Sequence, residues 1–412
     1  MTSRTGIRST PDTPTASRSI TASWSSPPDG RGEFRVSVSV LPVSGGHPFA
    51  VYAELPAGTI RERTWAAKRA LGREAVILGH HYQRESVIEF ADLRGDSLKL
   101  SQLAARQGDA RWIVFCGVHF MAESADVLRR PHQTVVLPDM KAGCSMADMA
   151  GEEDVEEAWD RLTAHHGDTF VPVTYMNSSA ALKAFCGARG GLVCTSSNAR
   201  AVLEWAWARK RRVFFFPDQH LGRNTAHAMG VPLEAMAVWD YRPADLDRVN
   251  AACSRDDVRL VLWRGFCSVH TKFTPEQVRE VRAADPSVRV LVHPECPFDV
   301  VDVADRVGST EFIIDQVESA SPGTSWAIGT EIHLVHRLAA AHPEQRIRSL
   351  QRNVCPCATM NRIDPAHLLW TLENLRDGQV VNAVRVPEPV KRDARAALDR
   401  MLALASTSAA RD

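Results

Sequence analysis

The chain of 412 residues has no apolar run near the roughly 20 residues that a membrane span requires, which excludes a membrane-spanning role from the reading. It also lacks an excess of either charge, with Lys plus Arg and Asp plus Glu at 49 each. No global field then favours nucleic acid, although that balance still allows a local basic pocket for a phosphate. Cysteine is neither dense nor even in number: nine are scattered along the chain, and no hydrophobic, signal-like segment precedes them. A secreted disulfide framework is therefore a poor fit, and a reducing cytoplasm is the expected compartment. What remains is ordinary globular composition, 44% apolar and 24% charged. The length suits two or three compact units at roughly 100 to 200 residues each.

Residues 1–47 are rich in Ser, Thr, Pro, Gly and Arg and read as a disordered leader, the short alternating run 34–43 notwithstanding. The Arg and Ser content also suits an organelle transit peptide, but Asp12, Asp29 and Glu33 interrupt the acid-poor pattern. Beyond this, a first helix is expected from Thr59, with Glu62 closing a capping box and Gly72 as the stop.

Short apolar runs then recur, each delivering polar or titratable side chains at its carboxyl end. Run 75–78 leads to His80 and Tyr82; 112–115 to Cys116; 135–137 to Cys144; 170–173 to Tyr175, Met176 and Asn177. Run 192–193 leads to Thr195 and Ser196; 213–216 to Asp218; 260–263 to Cys267; 288–292 to His293, Pro294 and Glu295; and 312–314 to Asp315. Helical stretches at 155–164, 199–210 and 275–284 separate many of them. The last has Thr274 as cap, Pro275 at the first position, Gln277 closing a box and Phe273 placed to staple Val278. A final clear helix has Asp364 as cap, Pro365 first and Gly378 at its stop. Alternating short strands and helices predict an α/β fold with parallel sheets, whose ligands collect beyond the carboxyl ends of the strands.

Three phrases carry the chemistry: Ala142, Gly143, Cys144, Ser145; Gly265, Phe266, Cys267, Ser268, Val269, His270; and Asn353, Val354, Cys355, Pro356, Cys357. A lone cysteine is by default a small buried hydrophobe, and composition alone does not lift these above it. Taken with residues 80–82, 95–97, 175–177, 194–198, 217–222, 293–296 and 308–310, however, the chain resembles the quinolinate synthase family from about residue 60 to 380, in its longer form with an extended middle domain and a C-terminal Cys-Pro-Cys.

That resemblance implies three pseudo-symmetric α/β/α sandwich domains in a triangle around a central active site, here 48–144, 145–266 and 267–357, with 358–412 as a C-terminal helical segment whose helix 364–378 packs back on the first domain. It implies iminoaspartate and dihydroxyacetone phosphate as substrates, quinolinate as product, and an aspartate oxidase as supplier of the imine. It implies one [4Fe–4S] cluster held by Cys144, Cys267 and Cys357, with one iron left open as a Lewis acid. These cysteines stand 123 and 90 residues apart, so only tertiary structure brings them together. Cys355 competes with Cys357 on sequence alone; the family's longer form uses the second of the pair. Glu295 is the expected acid/base, with His80, Tyr82 and His293 beside the triose. Substrate contacts fall to His80, Ser97, Tyr175, Met176, Asn177, Ser196, His293, Pro294, Glu295 and Thr310. For Ser196 and Thr310 plain helix capping is the competing role. Other classes would be an iron–sulfur electron carrier, which normally fills all four iron positions, and a Cys/His zinc module.

Overall fold

A computed structural model of the chain describes residues 46–106, 108–352 and 356–408. Most of the expected leader and Cys355 lie outside the described residues. His47 lies within them: its amide donates to the Asn374 side chain (2.8 Å) and its Nε2 meets Asp377 at 2.8 Å.

The described residues form fourteen strands: β1 Ala75–His80, β2 Leu93–Gly95, β3 Trp112–Cys116, β4 Thr134–Val136, β5 Phe170–Tyr175, β6 Leu192–Cys194 and β7 Arg212–Phe216, then β8 Met236–Trp239, β9 Leu260–Trp263, β10 Arg289–Val292, β11 Arg306–Val307, β12 Ser325–Gly329, β13 Arg346–Ser349 and β14 Ala383–Val384. Of these, β1, β3 to β7, β9 and β10 come from the apolar runs read in the sequence. The strands form three sheets ordered β14-β4-β3-β1-β2, β6-β5-β7-β9-β8 and β11-β10-β12-β13. All neighbours run parallel except β14, which pairs antiparallel with β4. Helices flank each sheet, so the protein is an α/β fold. β1, β3, β5, β7, β9 and β12 are buried along nearly their whole length, which is why they read as continuous apolar runs rather than alternating ones.

One order underlies all three sheets. The second strand of each lies outside the first, and the third and fourth follow on the other side: β2-β1-β3-β4, β6-β5-β7-β9 and β11-β10-β12-β13. The middle sheet adds β8 beyond β9. The order in which strands are added reverses between the first and third strands, and a crevice opens at the carboxyl ends of such a switch point.

Two local expectations are corrected. The helix expected from Thr59 runs Ala57–Leu71, after a short helix Ala50–Ala53, with Pro56 and not Thr59 at its cap; Pro56 supplies a fixed φ without needing a side-chain acceptor. Gly72 ends it at φ 51°, as a residue without a β-carbon readily does. Residues 312–314 are not a strand but part of the helix Thr310–Glu318, whose cap Ser309 accepts from the Phe312 amide. Phe312, Ile313 and Val317 belong to its apolar face at helical spacing, which a three-residue apolar run cannot distinguish from a strand. The helix Pro275–Ala284 has its Thr274–Gln277 capping box, with Phe273 and Val278 in one buried cluster.

Past the helix Pro365–Arg376, which is capped by Asp364 and packs on Ala57–Leu71, lies a longer helix that the apolar pattern did not single out, Glu388–Ser408. It crosses the helix Ala180–Ala188 so closely that a β-carbon on Gly187 would stand 1.8 Å from the Asp393 carbonyl oxygen. Among the described residues no helix is long and apolar enough to cross a membrane.

Candidate active site

Loops leaving the carboxyl ends of all three sheets enclose one cavity of about 70 Å³, room for several water-sized occupants. Equivalent positions contribute equivalent residues. After the first strand of each sheet come His80 and Tyr82, then Tyr175 and Asn177, then His293 and Glu295. After the second come Asp96 and Ser97, then Thr195 and Ser196, then Thr310. After the strand in fourth place come Cys144, Cys267 and Cys357. Val118, Phe120 and Met121 supply an apolar wall.

Glu295 is the electrostatic centre. Its side chain is 4% exposed, and both oxygens are engaged: Tyr175 donates its phenol hydrogen to Oε1 at 2.5 Å, and His270 Nδ1 lies 2.9 Å from Oε2. Burial alone would raise its pKa, but His270, His293 and the Tyr175 hydroxyl outweigh burial and hold the carboxyl below its usual range. A hydrogen-bonded path continues from His270. Its Nε2 lies 3.2 Å from the Thr330 hydroxyl, which lies 2.8 Å from the Tyr82 hydroxyl, and Thr310 donates to Tyr82 at 3.0 Å. Every partner is satisfied when Tyr82 donates to Thr330, Thr330 donates to Nε2, and Nδ1–H donates to Glu295. Burial and the charge on Glu295 push both the Tyr82 and Tyr175 phenols well above the ordinary value, so both keep their protons.

The two histidines at first-strand ends share a local design. His80 Nδ1 accepts the Tyr82 amide (3.1 Å) and His293 Nδ1 accepts the Glu295 amide (3.3 Å). In each the proton then sits on Nε2. Burial pushes both down to about 3, so both are neutral near pH 7.

Of the residues expected from sequence, Met176 and Pro294 are not among those lining the cavity. Met176, in the bend just past β5, is fully buried and receives the Ser124 hydroxyl on sulfur at 3.5 Å. Pro294 serves through its carbonyl, which accepts from Asn224 at 2.8 Å. The capping role considered for Thr310 belongs to Ser309, which frees Thr310 for Tyr82.

Sequence reasoning named Asp96, Thr195 and His270 only within their phrases, with no role in the site, and missed Thr330 and Glu331. His270 stood within the Cys267 phrase three residues on, and that spacing was the available signal. Asp96 joins the other two sheets, receiving the Ser197 hydroxyl (2.7 Å) and donating its amide to Glu311 (3.2 Å).

All eight described cysteines are free thiols. Cys144, Cys267 and Cys357 are the ones that face the cavity, and the serines following the first two meet at 3.4 Å, Ser145 to Ser268. Burial pushes Cys144 up to about 12 and Cys267 well above its usual value, while the amides of Ala147 and Met146, and of His270 and Val269, pull the other way. Sulfurs that repel one another when ionised, those of Cys144 and Cys267 met by backbone N–H groups, are together with Cys357 a donor set that a polynuclear iron centre satisfies. Asn177 adds a buried side-chain oxygen without a partner, aimed at the same space. Cys267, His270 and Glu295 also offer donor atoms within 4.8 Å of one another. There, however, both imidazole nitrogens and both carboxylate oxygens are already bonded, which disfavours a single-ion site.

Comparison with known proteins agrees with this geometry. A quinolinate synthase of Bacillus velezensis is 51% identical over 351 residues, covering 85% of this chain and 95% of its own. One of Geobacillus kaustophilus is 52% identical over 354 residues, 86% and 96% of the two chains. One of Rhodopirellula baltica is 53% identical over 369 residues, 87% and 94%. The model of the family described as Quinolinate synthetase A protein matches residues 63–403, and the chain belongs to that family.

Proposed function

We propose that this protein is a quinolinate synthase of NAD biosynthesis that condenses iminoaspartate with dihydroxyacetone phosphate, releasing phosphate and water. The observation that carries the reading is the convergence of three cysteines, each from the fourth-place strand of a different sheet, on the cavity that also holds Glu295, Tyr175 and Tyr82. Cys144, Cys267 and Cys357 would hold a [4Fe–4S] cluster, one per chain. When bound, three protein ligands leave it one open iron, a Lewis acid for the oxygens that must depart as water.

The protein's own groups divide the remaining work. The substrates are anions, yet no lysine or arginine lines the cavity among the described residues. Binding falls instead to neutral donors at helix starts. Ser97 and Thr310 open the helices Ser97–Arg106 and Thr310–Glu318, and Ser196 and Asn177 stand three residues before Ala199–Trp207 and Ala180–Ala188. Free N–H groups and the helix dipole favour carboxylate and phosphate there. His80 and His293 each present an Nε2–H that orients a carbonyl or hydroxyl oxygen without adding charge.

Glu295, ionised and buried, accepts a proton from a carbon or nitrogen acid of the bound intermediate. With the bonds of the path reversed, so that His270 Nε2–H donates to Thr330 and Thr330 to Tyr82, the proton taken up by Glu295 passes to Nδ1 while the Tyr82 phenol protonates a leaving hydroxyl and is reprotonated by Thr330. An iminoaspartate supplier of the aspartate oxidase class is the expected upstream partner, in the cytoplasm.

Anaerobic reconstitution with iron and sulfide, followed by a quinolinate assay with both substrates, tests cofactor and reaction together. A brown, iron- and sulfide-loaded protein that forms quinolinate is expected. A loaded protein that forms none overturns the reaction, and a protein that takes up zinc but no iron–sulfur cluster overturns the cofactor.

A further inference from the structure

The three cysteine loops are each tied to their sheet near the start of the helix that follows its third-place strand, but not by the same kind of bond. In the first sheet the His119 amide, just past β3, donates to the carbonyl of Ala142 at 2.7 Å, two residues before Cys144. In the second the Gln219 amide, just past β7, donates to the carbonyl of Gly265 at 3.0 Å, two residues before Cys267. Both ties are backbone to backbone. In the third sheet the bond comes from one position earlier, the helix cap Glu331 two residues past β12, and it is its carboxylate that receives the Cys357 amide, at 3.2 Å.

Glu331 is built to hold that bond. It is 1% exposed, and its two oxygens also receive the His333 amide (2.7 Å) and His333 Nδ1 (2.9 Å), which fix the carboxylate plane. Downstream, the segment after Cys357 is held by the first sheet: Gln83 donates to the Met360 carbonyl, Arg84 to that of Asn361, and Arg362 to Asp139. Among the bonds of the described residues, the one to Glu331 is what holds Cys357 itself to its own sheet.

We infer that Glu331 is a positioning residue that latches the Cys357 loop over the cavity and presents its sulfur for metal binding. The inference rests on the reading of Cys357 as a ligand. Because Thr330 precedes Glu331, the same turn seats the sulfur and joins Tyr82 to His270, so the metal ligand and the proton path are set by one backbone segment. A merely structural role would be that of a helix cap, since Glu331 caps Ile332–Ala341.

Glu331→Asp separates the two. Aspartate caps a helix at least as well, but one methylene fewer withdraws the carboxylate from Cys357. In metal-free protein, peptide-resolved iodoacetamide labelling is expected to modify Cys357 several-fold faster in E331D than in the wild type, with Cys144 and Cys267 unchanged. Iron per chain after reconstitution is expected to fall while the thermal midpoint holds. Wild-type labelling of Cys357 in both E331D and E331Q overturns the latch, as does accelerated labelling with full iron loading. Full iron loading in Cys357→Ala overturns the ligand reading, and the latch with it, whatever the labelling rates.

Discussion

Tyr175 and Glu295, 120 residues apart and on different sheets, meet at 2.5 Å with the phenol as donor and the carboxylate as acceptor. The bond joins the carboxyl end of β5 to that of β10 in the cavity that Cys144, Cys267 and Cys357 also line. It also helps hold Glu295 ionised, and this makes it testable. Tyr175→Phe removes a hydrogen bond to the charged form and so raises the Glu295 pKa. A base works when ionised, so the acid limb of kcat/KM against pH should move to higher pH in this variant, and an unmoved limb would detach Tyr175 from Glu295 chemically.

Glu295→Gln should retain the brown chromophore and lose about 10²- to 10⁴-fold in kcat, the usual worth of a positioned acid/base group. Single-turnover quinolinate formation checks it, and a variant at full rate removes Glu295 from the chemistry.

His270→Gln interrupts the path between Glu295 and Tyr82 without touching a substrate-binding serine or threonine. A fall of about 10² in kcat with KM nearly constant is expected, since the loss lies in proton transfer rather than ground-state binding. A change in KM alone would assign His270 to binding.

Cys144→Ala, Cys267→Ala and Cys357→Ala should each abolish the visible absorbance of the reconstituted protein, whereas Cys355→Ala should keep it under reducing conditions. Exchange of behaviour between the last two would make Cys355 the ligand.

His80 and His293 titrate near 3 in the folded protein because burial penalises their charged forms, against about 6.5 when unfolded. Between those values the unfolded chain binds more protons, so stability from these groups is present above pH 6.5 and is lost as pH falls toward 3. The thermal midpoint should drop on going from pH 7 to pH 4.5, and the drop should shrink in a His80→Gln, His293→Gln double variant. An equal drop in both would place the acid sensitivity elsewhere.

Much of the fold was legible locally. The capping box at Thr274, the cap at Asp364 and the stop at Gly72 are chemical signals that act within four residues, and each is where the chain uses it. Thr59 and the run 312–314 misled because a cap signal and a three-residue apolar run are each compatible with two local structures, and packing chose. Met176 and Pro294 came with the phrases 175–177 and 293–296, but Met176 stands in a bend and Pro294 in a turn past their strands, and neither lines the cavity.

The sequence by itself determined the residue types at the strand ends, because the apolar runs are buried whole and polar groups can only follow them into the solvent-facing crevice. It determined, too, that three cysteines lay beyond any local spacing. Which groups touch was decided by tertiary structure alone: that His270 bridges Thr330 to Glu295, and that Glu331 receives the Cys357 amide. Those bonds join segments from 25 to 60 residues apart, and a hydrogen bond depends on distances of a few tenths of an ångström that only the packing of whole segments against one another, within a sheet or between sheets, can set.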